Sequence, residues 1–419
     1  MEEQKVKNMY EEAKKIYSNI GVDVEKALKL LSKVKISVNC WQGDDIQGFM
    51  FPDQKLTGGI SVSGNYPGKA RNISELRQDL DKAFSLIPGI HKLSLHSTYV
   101  DTKEDIDLNE IEPKHFETWI DWAKERDMGL DFNPTLFSHP MSESGFTLAS
   151  ADDEIRDFWI EHVKRSRKVS ESFGKELGQI SVNNIWLPDG YKDNPIDRIG
   201  PRKRLLEALD LAREEELNTD YTIDAVEGKL FGTGVEAHTV GSHEFYLAYA
   251  LTRNILWTVD SGHFHPTEDA AEKFSSVSPF GQELYLHVSR PVRWDSDHVV
   301  ILDEALQRIA NTLVYDDLLD TTHIGLDFFD ATINRVAAWV IGTRNTLKAI
   351  LMALLSPLDE LKETERNGDY TTRLALTEEM KTYPFGSIWD YYCLTNDVPV
   401  GMDWMKEIQA YEKDVLNQR

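Results

Sequence analysis

Cysteine is almost missing from this 419-residue chain, which has only Cys40 and Cys393. The two lie far apart and fit no CxxC or Cys/His zinc spacing, which argues against a disulfide framework and a thiolate zinc centre. Long apolar runs are missing as well, since no stretch approaches the roughly 18 residues that a membrane span requires. The first residues, MEEQKVKNMYEEAKKIY, make a charged amphipathic pattern without the apolar core of a secretory signal. A cytoplasmic protein with no membrane contact is the expectation. Positive charge is scarce, and the formal net charge is −25 at pH 7. Binding to phosphate polyanions relies on clustered Lys and Arg, so nucleic acid is excluded as a partner and a neutral or cationic small ligand is expected.

What is present is material for a large core: 41% of the residues are hydrophobic and 10% aromatic. Eight short apolar or β-branched runs recur along the chain. They are KISVNC from Lys35, KLSLHSTY from Lys92, GLDFNPT from Gly129, QISVNNIWLP from Gln179, YTIDAVEGKLF from Tyr221, ILWTVDSGHFHP from Ile255, ELYLHVSRP from Glu283 and HIGLDFFD from His323. All have strand length. Between them lie segments of helical period, such as KHFETWIDWAKERD from Lys114, IRDFWIEHVKRSRKVSESF from Ile155, PRKRLLEALDLAREEEL from Pro201 and ALQRIANTLVYDDLL from Ala305. An open doubly wound sheet alternates in the same way. The count of eight and the residues at the strand ends favour a closed (β/α)8 TIM barrel. The expected division is an N-terminal helical segment over 1–34, the barrel over 35–355 and a helical C-terminal extension over 356–419. That extension is longer than barrel closure requires, which suits oligomerisation or a cover for the barrel bottom.

Residues 43–72, rich in glycine, read as a long irregular loop after the first strand, of the kind that serves as a lid or an ordered surface cover. Within it GNYPGKA is not a phosphate-binding P-loop, because the spacing is one residue short and Ala70 stands where Ser or Thr would be needed.

Each expected strand ends in residues with chemistry: Trp41, His96, Asn133, Trp186, Glu227, Asp260 with His263, His287 and Asp327. In a barrel these share the C-terminal rim, where such enzymes keep their active sites. With Asp295 and Asp297 of WDSDH, the region from Asp224 to Asp330 holds five carboxylates and two imidazoles of this kind. Crowding buried carboxylates without cations is prohibitive, and a divalent metal resolves the conflict. Oxygen-rich ligation with one or two histidines suits Mn2+, Co2+ or Mg2+ better than zinc. Seven ligand candidates exceed one ion. They divide into Glu227, Asp260, His287 and Asp327 for a first position and His263, Asp295 and Asp297 for a second. A lone Asp at a strand end is more often a turn former, but four consecutive strand ends with ligand-type residues are harder to dismiss. His265 and His298 suit either a role in orienting the carboxylates or an ordinary place as satisfied surface or core histidines. Trp41 and Trp186 suit stacking on a sugar ring or plain core packing. Lys229, two residues past Glu227 on the same side of its strand, suits a substrate hydroxyl or a salt bridge to a neighbouring acid.

The runs NYPGKARN, HKLSLHSTY, GLDFNPT, NNIWLPDGYKD, IDAVEGKLFG, DSGHFHPTE, LHVSRPVRWDSDHV, HIGLDFFDATINRVAAWVIGTRN and YEKDVLNQR resemble the L-rhamnose isomerase family over essentially the whole chain. The resemblance implies the same two metal sets, with catalytic roles for Glu227, Lys229, Asp295, Asp297 and Asp327 and sugar contacts at His96, Trp186 and Lys229. It also implies interconversion of L-rhamnose and L-rhamnulose, Mn2+ as the preferred ion, a homotetramer and a place in rhamnose catabolism. Two other readings use the same residues. A metal-dependent barrel hydrolase or phosphodiesterase would call for a basic rim, and a catalytically silent sugar-binding homologue would show gaps in the metal set, of which there are none.

Overall fold

A computed structural model of the chain describes residues 2–51 and 54–419. Within them the eight apolar runs form β1 Ile36–Asn39, β2 Lys92–His96, β3 Gly129–Asn133, β4 Ser181–Ile185, β5 Thr222–Glu227, β6 Leu256–Asp260, β7 Leu284–Val288 and β8 Thr322–Leu326. Every strand pairs in parallel with its neighbours in sequence, and β8 pairs with β1, which closes the barrel. The strands are buried almost continuously. Helices cover their outer face and side chains fill the inner one, which is why they read as unbroken apolar runs rather than as alternating patterns.

Two helices, α1 Glu3–Ser18 and α2 Val24–Leu31, precede the barrel. The strands are then followed in turn by α3 Ile73–Phe84, α4 Glu117–Lys124, α5 Asp153–Leu177, α6 Ile199–Ala212, α7 His243–Arg253, α8 Ala271–Val277, α9 Glu304–Tyr315 and α10 Arg335–Leu354. Caps set many of the starts. Asn72, Asp152, Asp303 and Asn334 each accept an N–H from the first turn of α3, α5, α9 and α10, and Gly178 ends α5 in the left-handed region. The helix expected from Pro201 begins two residues earlier, at Ile199, and stops at Ala212. Proline is tolerated in the first turn, where N–H groups lack partners anyway. The Glu214–Glu216 run is exposed and offers no apolar face to pack.

Most of the core lies between barrel and helices, where Trp119, Trp159 and Trp339 are fully buried. A second, small cluster of Val182, Ala225, Leu256 and Tyr285 fills the barrel interior. Beyond α10 the chain forms α11 Leu358–Arg366, α12 Tyr370–Met380, α13 Phe385–Thr395 and α14 Asp403–Asp414. The two chain ends meet, since Tyr10 of α1 stacks on Tyr391 of α13 at 3.7 Å. Both α13 and α14 also pack on α10. Cys40 and Cys393 are free and buried. No helix among the described residues is long and apolar enough to cross a membrane.

Candidate metal centre

Strand register assembles the first cluster. Glu227 on β5 pairs with Thr258 on β6, and Asp260 lies two residues further along the same face. Asp260 pairs with His287 on β7, which pairs with Gly325 on β8, two residues before Asp327. Paired neighbours in a parallel sheet share a face and residues two apart repeat it, so all four side chains point into the barrel at its C-terminal end. Ligand atoms of Glu227, Asp260, His287 and Asp327 lie within 4.8 Å of one another. Gly325 makes room for the imidazole. A Cβ there would sit 2.5 Å from Tyr285 Oη and 3.1 Å from His287 Cδ2.

Each carboxylate of this group is tethered by one oxygen. Asn184 Nδ2 donates to Glu227 Oε2 at 2.6 Å, and Thr258 Oγ1 donates to Asn184 Oδ1 at 2.7 Å. Asp260 Oδ1 accepts from Gly262 N at 2.6 Å and from Ser289 Oγ at 2.9 Å. Asp327 Oδ1 accepts from Trp41 Nε1 at 3.2 Å. The remaining atoms are orphaned: Glu227 Oε1, Asp260 Oδ2 and both ring nitrogens of His287 are buried without a hydrogen-bond partner. His287 Nδ1 lies 3.2 Å from Glu227 Oε2 and 3.4 Å from Asp327 Oδ2. It points at neither in bonding geometry. Buried polar atoms are nearly always paired, so a group of them facing one point fits a cation as the common partner.

Charge tells the same story. Burial pushes the Asp260 carboxyl up to about 7, with Asp327, Glu227 and Asp295 adding to the shift against His263. Burial opposes charge on His287, yet Glu227 and Asp327 raise it to about 10. The same contest holds the Glu227 carboxyl well below its usual range, because His287 and His263 outweigh burial. Protons thus stand where a divalent ion would discharge the same carboxylates.

The other three candidates lie beside this group. His263 Nδ1 faces the Gly228 carbonyl at 3.1 Å, leaving Nε2 at 3.3 Å from Asp295 Oδ2. Lys229 Nζ takes that same Asp295 oxygen at 2.6 Å, and Asp295 Oδ1 is unpartnered. Although burial opposes it, His263 and Lys229 hold the Asp295 carboxyl well below its usual range. Asp297 is half-buried in the same cavity, with φ 48°. Among the described residues, His263, Asp295 and Asp297 do not form a second group as tight as the first.

Above the cluster opens a cavity of about 620 Å3 lined by Trp41, Ile46, Ile60, His96, Phe137, Trp186, Lys229, His263, Trp294, Asp295, Asp297 and Phe329, among others. His96 packs edge-on against Trp41 and Phe137, with Nδ1 at 3.1 Å from Thr135 Oγ1. Burial lowers its pKa to about 3, so it meets a ligand as neutral imidazole. Trp186 stands edge-on to Phe137, with Lys229 Nζ 5.4 Å above its ring. Trp41 serves Asp327 through its indole N–H, a role that the expectation of ring stacking did not include. Lys229 makes the salt bridge that was its alternative reading. His265 is exposed and bonded to Thr267, so it orients no carboxylate. His298 lines the cavity with Ser296 Oγ at 2.9 Å. Asn133 lines the cavity beside His96, with its amide tied to Ser94 and Leu95. Asn184, Thr258 and Ser289 escaped sequence reasoning. The available signal was strand parity, which sets Asn184 beside Ala225 and on the face of Glu227.

A closed (β/α)8 barrel with a carboxylate–imidazole cluster fit for a divalent cation, open to a mixed polar and aromatic cavity, is the architecture of a barrel enzyme acting on a small polar substrate. The L-rhamnose isomerase (RhaA) pattern matches residues 4–419, and the chain belongs to that family. It is 62% identical to an L-rhamnose isomerase of Listeria innocua serovar 6a over 418 residues, covering 100% of both chains. Identity to that of Lactiplantibacillus plantarum is 60% over 410 residues, 98% of this chain and 96% of the relative. A solved L-ribulose 3-epimerase superposes with a TM-score of 0.47 at 12% identity, covering 79% of this chain and 97% of that one.

Proposed function

We propose that this chain interconverts L-rhamnose and L-rhamnulose in the barrel mouth, as a cytoplasmic homotetramer serving L-rhamnose catabolism. The supporting observation is the convergence of orphaned atoms from Glu227, Asp260 and His287, with Asp327 beside them, at the floor of a cavity sized for a monosaccharide. These four residues would hold one ion, and His263, Asp295 and Asp297 a second, with Mn2+ preferred and Co2+ or Mg2+ as substitutes. Bound there, a divalent ion supplies Lewis acidity that polarises a sugar carbonyl and its neighbouring hydroxyl.

The chain's own groups do the rest. Trp186, His96 and Trp41 wall the cavity and keep water from the carbons between which hydrogen moves. Lys229 carries an ammonium to the cavity wall, where its N–H groups can donate to a sugar hydroxyl. Among the described lining residues Lys229 is the one Lys or Arg, so the cavity lacks the basic cluster that would favour a phosphorylated sugar. The exposed Tyr370 and Leu374 of α12, a helix with no buried residue, support a subunit contact in the extension.

The purified protein, offered a panel of aldoses, is expected to turn over L-rhamnose. It should lose activity on exhaustive chelation, regain it with Mn2+ at least as well as with Mg2+, and scatter light as a tetramer. Failure to isomerise any aldose, or full activity in protein shown metal-free by elemental analysis, refutes the reading.

A further inference from the structure

One wall of the cavity has no secondary structure of its own. Ile60, Ser61 and Ser63 line it, and from Gln54 to Asn72 the chain is neither helix nor strand. A segment without a hydrogen-bonded ladder keeps its place only through tertiary pins. Thr57 and Ser138 exchange hydrogen bonds of 3.0 and 2.7 Å on one side of the wall, and on the other side three pins converge on Tyr66. Its N–H donates to the Ala331 carbonyl at 2.8 Å. Its carbonyl accepts from Arg335 Nη1 at 2.6 Å, and its hydroxyl donates to Glu412 Oε2 at 2.9 Å.

Two of these partners belong to the loop and first turn after β8, the strand that carries the segment bearing Asp327. The third, Glu412, sits on α14, near the far end of the sequence. Glu412 Oε2 also accepts from Asn334 Nδ2 at 2.7 Å, so one carboxylate ties the pocket loop, the cap of α10 and α14 together. The following residues hold α14 itself in place. Arg419 makes a two-pronged ion pair with buried Asp79 of α3 at 2.6 and 2.8 Å and reaches the Gly68 carbonyl at 3.1 Å. Tyr411 donates to the same Asp79 at 2.6 Å. Gly64 passes so close to Ala331 that a Cβ there would lie 2.3 Å from its carbonyl oxygen, which leaves little play in the register.

We propose that α14, through Glu412, is a positioning element of the sugar pocket: it fixes Tyr66 and with it the wall of Ile60, Ser61 and Ser63. Glu412 touches no reacting atom. Its influence falls on sugar binding, while the cluster at Glu227, Asp260, His287 and Asp327 is held by barrel strands and stays as it is. The proposal rests on the barrel mouth being the sugar site.

The test uses the full-length, Mn2+-loaded protein and the variants Glu412→Ala, Glu412→Gln and Tyr66→Phe. Glu412→Ala should raise KM for L-rhamnose roughly tenfold, the scale of one charge-assisted hydrogen bond. Its kcat should stay within about twofold and its Mn2+ affinity should not change. Glu412→Gln keeps an acceptor oxygen and should restore most of the KM. Hydrogen exchange at residues 60–66 should quicken in Glu412→Ala while barrel strands exchange as before. An unmodified KM in Glu412→Ala, or a KM rise with equal losses of kcat and Mn2+ affinity, overturns the proposal. If Glu412→Ala does not fold, Tyr66→Phe, which removes a single hydroxyl, carries the same test. Should the unmodified protein isomerise no sugar, it is the reading of the mouth that fails. Exchange at residues 60–66 then decides the pin alone, and unchanged rates overturn it.

Discussion

Glu227 can present a bare oxygen to the barrel axis only because Asn184 holds the other one, and Asn184 in turn is oriented by Thr258. Outer partners of this kind set the direction of a ligand as much as its own rotamer does. Asn184→Ala frees both Glu227 oxygens and leaves Thr258 Oγ1 without its acceptor. Mn2+ affinity is therefore expected to fall roughly 10- to 100-fold, the usual cost of losing such a partner. Calorimetric titration of the metal-free protein measures it, and an unaltered affinity would show that the Asn184 bond is ornamental. Single residues were the least legible level of the sequence. Glu227, Asp260, His287 and Asp327 were visible as strand-end residues of ligand type, and parity makes their convergence intelligible. Lys229 had two chemically sound readings, of which the salt bridge is seen at Asp295, and Trp41 donates to Asp327, a role that neither of its readings contained.

Elements divide the two candidate metal positions. Asp327 directly follows β8, and its backbone N–H donates to Val288 of β7 at 3.0 Å. Asp295 and Asp297 lie in a loop closed at its base by the antiparallel bridge between Arg290 and His298. Arg293 and Asp297 adopt the left-handed region in that loop, at φ 71° and 48°. A loop so closed can lose a carboxylate without disturbing the barrel, whereas a ligand next to a strand ties the rim together through its ion. Asp295→Asn and Asp297→Asn are thus expected to lose most of kcat while keeping a near-normal melting temperature and its rise with Mn2+. Asp327→Asn should lose activity together with most of that rise. Melting curves with and without Mn2+ decide it. Loop variants that respond to Mn2+ as poorly as Asp327→Asn would erase the distinction.

For the molecule as a whole, buried histidines outside the carboxylate cluster contribute to acid stability. His162 is fully buried, with Nδ1 donating to the Leu108 carbonyl at 2.8 Å and Nε2 accepting from Thr135 N at 3.1 Å. The backbone therefore dictates one neutral tautomer, and burial lowers its pKa to about 4. His91 is held likewise, between Ile36 N and the Pro88 carbonyl, and is lowered to about 4 by burial. An imidazole depressed in the fold takes up its proton first in the unfolded chain. Its stabilising contribution is complete above about pH 6.5 and is lost as the pH falls toward 4. Asp44 and Asp189 act in the opposite sense, since burial pushes their carboxyls up to about 7 and about 6. The folded state keeps a proton that the unfolded chain has released, so their contribution declines as the pH rises from about 4 to about 6 or 7. His162→Gln should accordingly flatten the change of melting temperature between pH 6.5 and 4 relative to the unmodified protein. Parallel slopes for the two proteins would show that His162 does not titrate in this way.

By itself the sequence determined the architecture, because eight buried runs alternating with amphipathic segments have few ways to hide their apolar faces, and each run appears as a strand of the barrel. It also determined which residue types reach the rim, since that follows from position at a strand end. Helix limits such as those of α6 were less legible, because capping and the absence of an apolar face decide them locally. Only the tertiary structure decided which oxygen of each carboxylate is tethered and which is left bare, that Lys229 rests on Asp295, and that α14 reaches back to Tyr66 across 346 residues. These are meetings of side chains distant in sequence, and no local period or propensity encodes them. They depend on strand register and on the way the C-terminal helices fold back over α10.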